Sequence, residues 1–149
     1  MLKLSALEFF FRTILESFLI VMVAYIFANK KISRKSFIVA SLILAVITYL
    51  VRLLPISFGV NTMINMIVFI IIGINIIKIN INISIISVFI SVISIYLCEW
   101  INVIILNDLF NIDRFSNDYF KFLLTMPSLF MFAIVVLLFY MFINKFVRR

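Results

Sequence analysis

Long apolar stretches alternate with brief polar interruptions along the chain, and that spacing predicts five membrane-crossing helices. Segment one runs from about Leu4 to Ala28, segment two from Ser36 to Leu54 and segment three from Val60 to Ile77. Segment four runs from Ile83 to Leu106 and segment five from Phe122 to Phe142. Crossing the hydrocarbon core takes about 20 apolar residues in a helix. Segment one meets this only with difficulty. Its uncharged part, Ser17 to Ala28, is too short to span, so it crosses only if Glu8, Arg12 and Glu16 are carried into the membrane. The abundant isoleucine favours strands, but the strict alternation of a membrane barrel is missing. The expected fold is therefore all-α, a polytopic membrane bundle forming one integral membrane domain over residues 1–149.

The interruptions differ in character. Loop one, Asn29 to Lys35, carries four positive charges. Pro55 ends or kinks segment two and opens the uncharged linker Leu54 to Gly59, because proline lacks an amide hydrogen and restricts the residue before it. Lys78, among Asn75, Asn80 and Asn82, predicts a tight polar turn. Asn107 to Lys121 is the longest polar region, and Pro127 falls in the first turns of segment five. The tail from Asn144 to Arg149 carries three basic residues.

Composition agrees with the pattern. The chain is 66% hydrophobic and 13% charged, whereas soluble domains run nearer 45–50% and about 25%. An ordinary soluble domain is excluded, and a buried helical domain of a larger complex is the alternative. The formal charge of +7 comes from 13 basic against 6 acidic residues. These charges lie between apolar runs, which makes them topological and lipid-surface charges and not a nucleic-acid stripe. One cysteine excludes an intrachain disulfide. The absence of histidine removes the commonest general base and a common metal ligand, so no cofactor and no metal are expected. Segment one lacks a small-residue cleavage pattern and is read as an unusual first span, not a cleavable signal.

Basic loops set orientation. Loop one and the tail carry the positive charge, the 54–59 linker carries none, and the loop before segment five has more acids than bases. Five spans with loop one and the tail inside place the amino terminus outside and the carboxyl terminus in the cytoplasm; Lys3 and Arg12 pull weakly the other way. The expected location is a plasma membrane.

Two groups of ionisable residues are candidates for function. Glu8, Arg12 and Glu16 fall on one helical face with Ser5, and Arg12 can pair with either glutamate. Intramembrane charge usually faces protein or a watery cavity. The plainer reading places this turn flat at the interface, with Arg12 snorkelling. Arg52 and Glu99 lie toward the outer ends of their helices at similar depth, where they could pair. Tyr49, Tyr96, Asn102 and Ser57 are plausible neighbours in a ligand or partner pocket, and Trp100 suits an interface anchor. The plainer reading of Arg52 and Glu99 is a structural ion pair between segments two and four. Cys98 reads as a packing residue, since no histidine can activate it. Asn61, Asn65 and Asn75 read as interhelical hydrogen-bonding groups. Asp108, Asp113 and Asp118 read as a solvated face, lacking the spacing and glycine of a calcium loop.

The runs Leu7-Glu8-Phe9-Phe10, Thr13-Ile14-Leu15-Glu16 and Tyr49-Leu50-Val51-Arg52-Leu53-Leu54-Pro55-Ile56 with Phe58-Gly59 resemble a known pattern. So do Glu99-Trp100-Ile101-Asn102, Ser116-Asn117 and Met126-Pro127-Ser128-Leu129. They resemble the membrane-sensor region of clostridial peptide-responsive histidine kinases with a GHKL-type ATPase domain, over nearly the whole chain. The resemblance implies an outward surface that senses an extracellular signal and passes it to a cytoplasmic output. The sequence departs from that family in having no phosphoacceptor histidine, dimerisation helix or ATP-binding domain. It is expected to be a stand-alone sensor-like subunit, an adaptor, or a fragment of a longer protein.

The leading expectation is a non-enzymatic regulatory module that contacts other membrane proteins through its helices. Its partners would be the bilayer, an extracellular peptide or small ligand, and a second copy or another membrane protein, but no nucleic acid. A small transporter or transporter subunit using intramembrane carboxylates is the alternative, although five spans do not divide into equal repeats. A peptide-processing protease would need a histidine–cysteine pair or two close intramembrane acids. Immunity to a secreted peptide is not separable from sensing in the sequence.

Overall fold

In a computed structural model, the backbone is described over residues 2–110 and 118–147, and side chains over 10–109 and 126–147. The chain forms five long helices: α1 Leu2–Phe27, α2 Arg34–Leu53, α3 Phe58–Ile72, α4 Ile81–Phe110 and α5 Asp118–Val147. One π-helical turn, Gly73–Ile77, extends α3. Each of the five carries a stretch long and apolar enough to cross a membrane, which makes this a multi-pass membrane architecture. The spans match the predicted segments, but α4 and α5 run deeper into the predicted polar loop than expected. Asp108 is thereby an exposed residue of α4. Asp113 and the Asp118 side chain lie outside the described residues. Pro127 sits inside α5, about 13 Å from its start at 1.5 Å per residue.

The helix with the poorest hydropathy is the central one. α1 packs on α2, α4 and α5, while α3 bridges α2 and α4. The core divides around α1. On one side Val21, Ala24 and Tyr25 meet Ala40 and Leu44 of α2, Phe69 and Ile72 of α3, and Val88 of α4. On the other, Val23 and Ile26 meet Cys98 of α4 with Phe132 and Val136 of α5. Cys98 is thus a buried packing residue. α1 keeps Phe11 and Leu15 for its exposed side and is covered elsewhere by α2, α4 and α5, and its covered faces are where it tolerates charge.

Polarity is arranged inside-out relative to a soluble protein. Small hydroxyl residues are buried, among them Thr13, Ser17, Ser41, Ser84, Ser87 and Ser91. Large apolar side chains such as Leu50, Met63, Ile67, Ile93 and Leu137 are exposed. Small residues let helices approach closely in lipid, where no hydrophobic force joins them. Three of these hydroxyls are satisfied within their own helix: Ser17 donates to the Thr13 carbonyl at 2.8 Å, Ser87 to Ile83 at 2.6 Å and Ser91 to Ser87 at 2.7 Å. Gly73 stands where the π turn meets α4, and a side-chain carbon there would overlap Ser84 Oγ.

The turns at the loop-one end are built from two left-handed residues. Asn29 (φ 48°) closes α1, its N–H donating to the Ile26 carbonyl and that of Lys30 to the Tyr25 carbonyl, the paired pattern of a Schellman cap. Lys78 (φ 58°) ends the π turn, with Ile79 bonding back to Gly73. The Lys30 ammonium then crosses between these turns, donating to the carbonyls of Ile77 at 2.8 Å and Lys78 at 3.1 Å. It satisfies helix-end carbonyls and suits the negative end of the helix dipole.

Candidate functional site: a cavity among four helices

Four ionisable side chains converge in the half of the bundle remote from loop one. From the loop-one ends of their helices, Glu16 lies about 16 Å along, Arg12 about 22 Å, and Arg52 and Glu99 about 27 Å, at 1.5 Å per residue. Arg12 donates to Glu99 Oε1 at 2.7 Å, and Arg52 lies 3.5 Å from Glu16 Oε2. Arg52 also reaches the Thr13 hydroxyl at 3.4 Å. The expected pairing of Arg52 with Glu99 is therefore exchanged. Arg52 takes the glutamate of α1, and Glu99 takes the arginine of α1. The reason is architectural: α1 packs against both α2 and α4, so each outer helix finds its counter-ion there first.

The same geometry corrects the reading of the charge stripe. Arg12 and Glu16 share a face of α1, but they pair outward to α4 and α2 and not with each other. Arg12 does not snorkel; its side chain is 15% exposed and bonded within the bundle. The Glu8 side chain lies outside the described residues. Two arginines and two glutamates make the cluster formally neutral, which lowers the cost of holding charge at depth.

Beside this cluster lies a cavity of about 130 Å³ bounded by α1, α2, α3 and α4. Each helix contributes polar side chains at a spacing of three or four: Thr13 and Ser17, Thr48 and Arg52, Asn61 and Asn65, Tyr96 and Glu99. Residues so spaced share one helical face, and here all four faces converge. Apolar groups including Leu44, Phe69, Val88 and Val92 complete the wall. By volume the space admits about four waters or one small organic molecule.

Asn65 donates to Asn61 Oδ1 at 3.0 Å along α3, leaving its own Oδ1 buried without a partner among the described residues. These two amides thus bond to each other, where interhelical bonds were expected. Asn75 likewise bonds to Ile71 of its own helix and is exposed. Toward the 54–57 linker, the Thr62 and Tyr96 hydroxyls share a 2.9 Å hydrogen bond. The Phe58 and Tyr96 rings meet edge-on at 5.9 Å, closing α3 against α4.

Of the five residues expected to form a pocket, Arg52, Glu99 and Tyr96 line this cavity. Tyr49 instead packs edge-on against Phe10 at 5.3 Å, and Asn102 is buried elsewhere on α4. Ser57 is an exposed linker residue before α3, and Trp100 is exposed along α4. Thr13, Ser17, Thr48 and Thr62 were not singled out from sequence, though their three-to-four spacing was readable. The arrangement offers hydrogen-bond donors and acceptors with charges of both signs, suited to holding a small polar or zwitterionic molecule. Among the described residues no three His, Cys, Asp or Glu groups converge to hold a metal. Compared with family models, with curated proteins and with solved structures, the chain matches none of them.

Proposed function

We propose that the protein is a non-enzymatic, sensor-like regulatory module of a bacterial plasma membrane. The observation that carries this reading is the placement of two cross-helix ion pairs, Arg12 with Glu99 and Arg52 with Glu16, beside one small cavity whose wall includes Glu16, Arg52 and Glu99. A ligand that hydrogen-bonds in the cavity competes for the same charges, and the cost of an unpaired charge favours exchange of partners. Because α1 carries one member of each pair, exchange moves α1 against α2 and α4. Packed helix interfaces favour discrete arrangements, so small helix shifts are the expected motion. The exposed apolar faces of α2 to α5 pass the change to another membrane protein. In this reading the amino terminus and the 54–57 linker are outside, and loop one and the carboxyl terminus are cytoplasmic. The resemblance to the sensor region of peptide-responsive histidine kinases supports the same assignment.

The experiment is genetic and biochemical together. A chromosomal deletion is complemented with wild-type protein, Arg52→Gln or Glu99→Gln, and the membrane partners captured in mild detergent are assayed for activity. Partner activity that responds to the deletion and to both substitutions supports the proposal. Unchanged signalling and partner state on deletion would sink it. One observation favours a second reading, transport: two carboxylates, Glu16 and Glu99, face the same cavity. Solute flux in proteoliposomes that disappears with Glu99→Gln would select it.

A further inference from the structure

At the opposite end of the bundle, loop one and the last turns of α5 enclose a second crevice of about 260 Å³. We propose that this crevice binds the headgroup of an anionic phospholipid. Its polar lining comes from Asn29, Lys30 and Lys31 of loop one, from Tyr140 and Asn144 of α5, and from Tyr25 of α1. No carboxylate contributes to the wall. Lys30 is engaged with the carbonyls of Ile77 and Lys78, so Lys31, which is exposed, is the cation available to an incoming anion.

A built site is indicated by more than charge. Tyr25 is 2% exposed, and its hydroxyl is enclosed beside Ser36. The Schellman cap at Asn29 and the Lys30 tie to the π turn hold loop one in place, so the donors are positioned beforehand. The lipid, and not a free anion, fits the remaining wall. Met22, Ile26 and Ile143 carry an apolar surface from the crevice along α1 and α5, and Phe142, Phe146 and Val147 are exposed on the same end of α5. Acyl chains would cover that surface, whereas inorganic phosphate leaves it bare. Basic pockets between helix ends are suited to headgroups of this kind. The proposal is independent of the sensor reading.

The full chain, purified in mild detergent, is titrated with short-chain phosphatidylglycerol or phosphatidylcholine. Bound lipid is counted by native mass spectrometry, and the melting midpoint is followed in parallel. Phosphatidylglycerol is expected to bind preferentially, one per chain, and to raise the midpoint. Lys31→Ala and Tyr140→Phe should each weaken it, the former about five-fold, which is what one lysine at an anionic surface contributes. Lys31→Arg should retain binding. Lys35→Ala removes a charge from the first turn of α2, outside the crevice, and should leave binding unchanged. Equal losses from Lys31→Ala and Lys35→Ala would show diffuse surface charge and overturn the site. Equal binding of phosphatidylcholine, or equal stabilisation by inorganic phosphate at the same concentration, would overturn the anionic-lipid assignment.

Discussion

Arg12 on α1 and Glu99 on α4, 87 positions apart in sequence, meet at 2.7 Å inside the bundle. Their neighbours Glu16 and Arg52 meet at 3.5 Å on the same face of α1, toward α2. The central helix thus supplies one cation and one anion, each neutralised by a different partner helix. This arrangement lets an ionisable segment occupy the middle of a membrane bundle.

Breaking one member of the closer pair should cost more than removing both. Arg12→Gln or Glu99→Gln leaves a poorly hydrated charge and should destabilise by roughly 3 kcal/mol, toward the low end for a broken buried pair because Glu99 is 40% exposed. The double variant should recover part of that loss. Thermal unfolding of all four proteins in one detergent gives the coupling directly, and strict additivity would show that the contact carries no energy.

Gly73 should resist replacement. Gly73→Ala places a methyl group against Ser84 Oγ, and overpacking of this kind costs about 1–3 kcal/mol. Ser84→Ala removes the overlapping atom and also the 3.4 Å bond to the Ile70 carbonyl. In the Gly73→Ala background it should restore stability, which a detergent melt of the pair would reveal.

The Lys30 tie predicts a graded series. Lys30→Met keeps the aliphatic stem but removes the donor to Ile77 and Lys78, with an expected loss of about 1.5–3 kcal/mol for charge-assisted bonds. Lys30→Arg should retain part of it. Amide exchange at Lys78 and Ile79 should rise in the methionine variant while exchange in the core of α1 stays slow.

Lys78 offers a stabilising change. A left-handed residue with a side chain is disfavoured by about 1 kcal/mol, and φ is 58° here. Lys78→Gly should raise the melting midpoint, because the hydrogen bond from Lys30 goes to the backbone carbonyl and survives the substitution.

Hydropathy made the five spans legible, because lipid contact demands large apolar residues wherever they occur along the chain. Loop one, the Pro55 boundary and the Lys78 turn were equally readable, since proline, charge and asparagine act locally. The same was true of the polar face on each helix. Thr48 with Arg52, and Asn61 with Asn65, declare a shared face by spacing alone. The lengths of α4 and α5 were less legible: polar residues at a membrane boundary permit a helix to continue, and sequence does not say whether it does.

Which faces meet was decided only in three dimensions. The sequence determined that Arg12, Glu16, Arg52 and Glu99 required shelter, because unpaired charge is costly in lipid. It did not determine that α1 would be central, and so Arg52 and Glu99 could be matched by depth and still pair elsewhere. Packing made that choice. Small residues on α1, α2 and α4 allow close approach, α1 packs against both α2 and α4, and each charge takes the nearest opposite charge that this order allows.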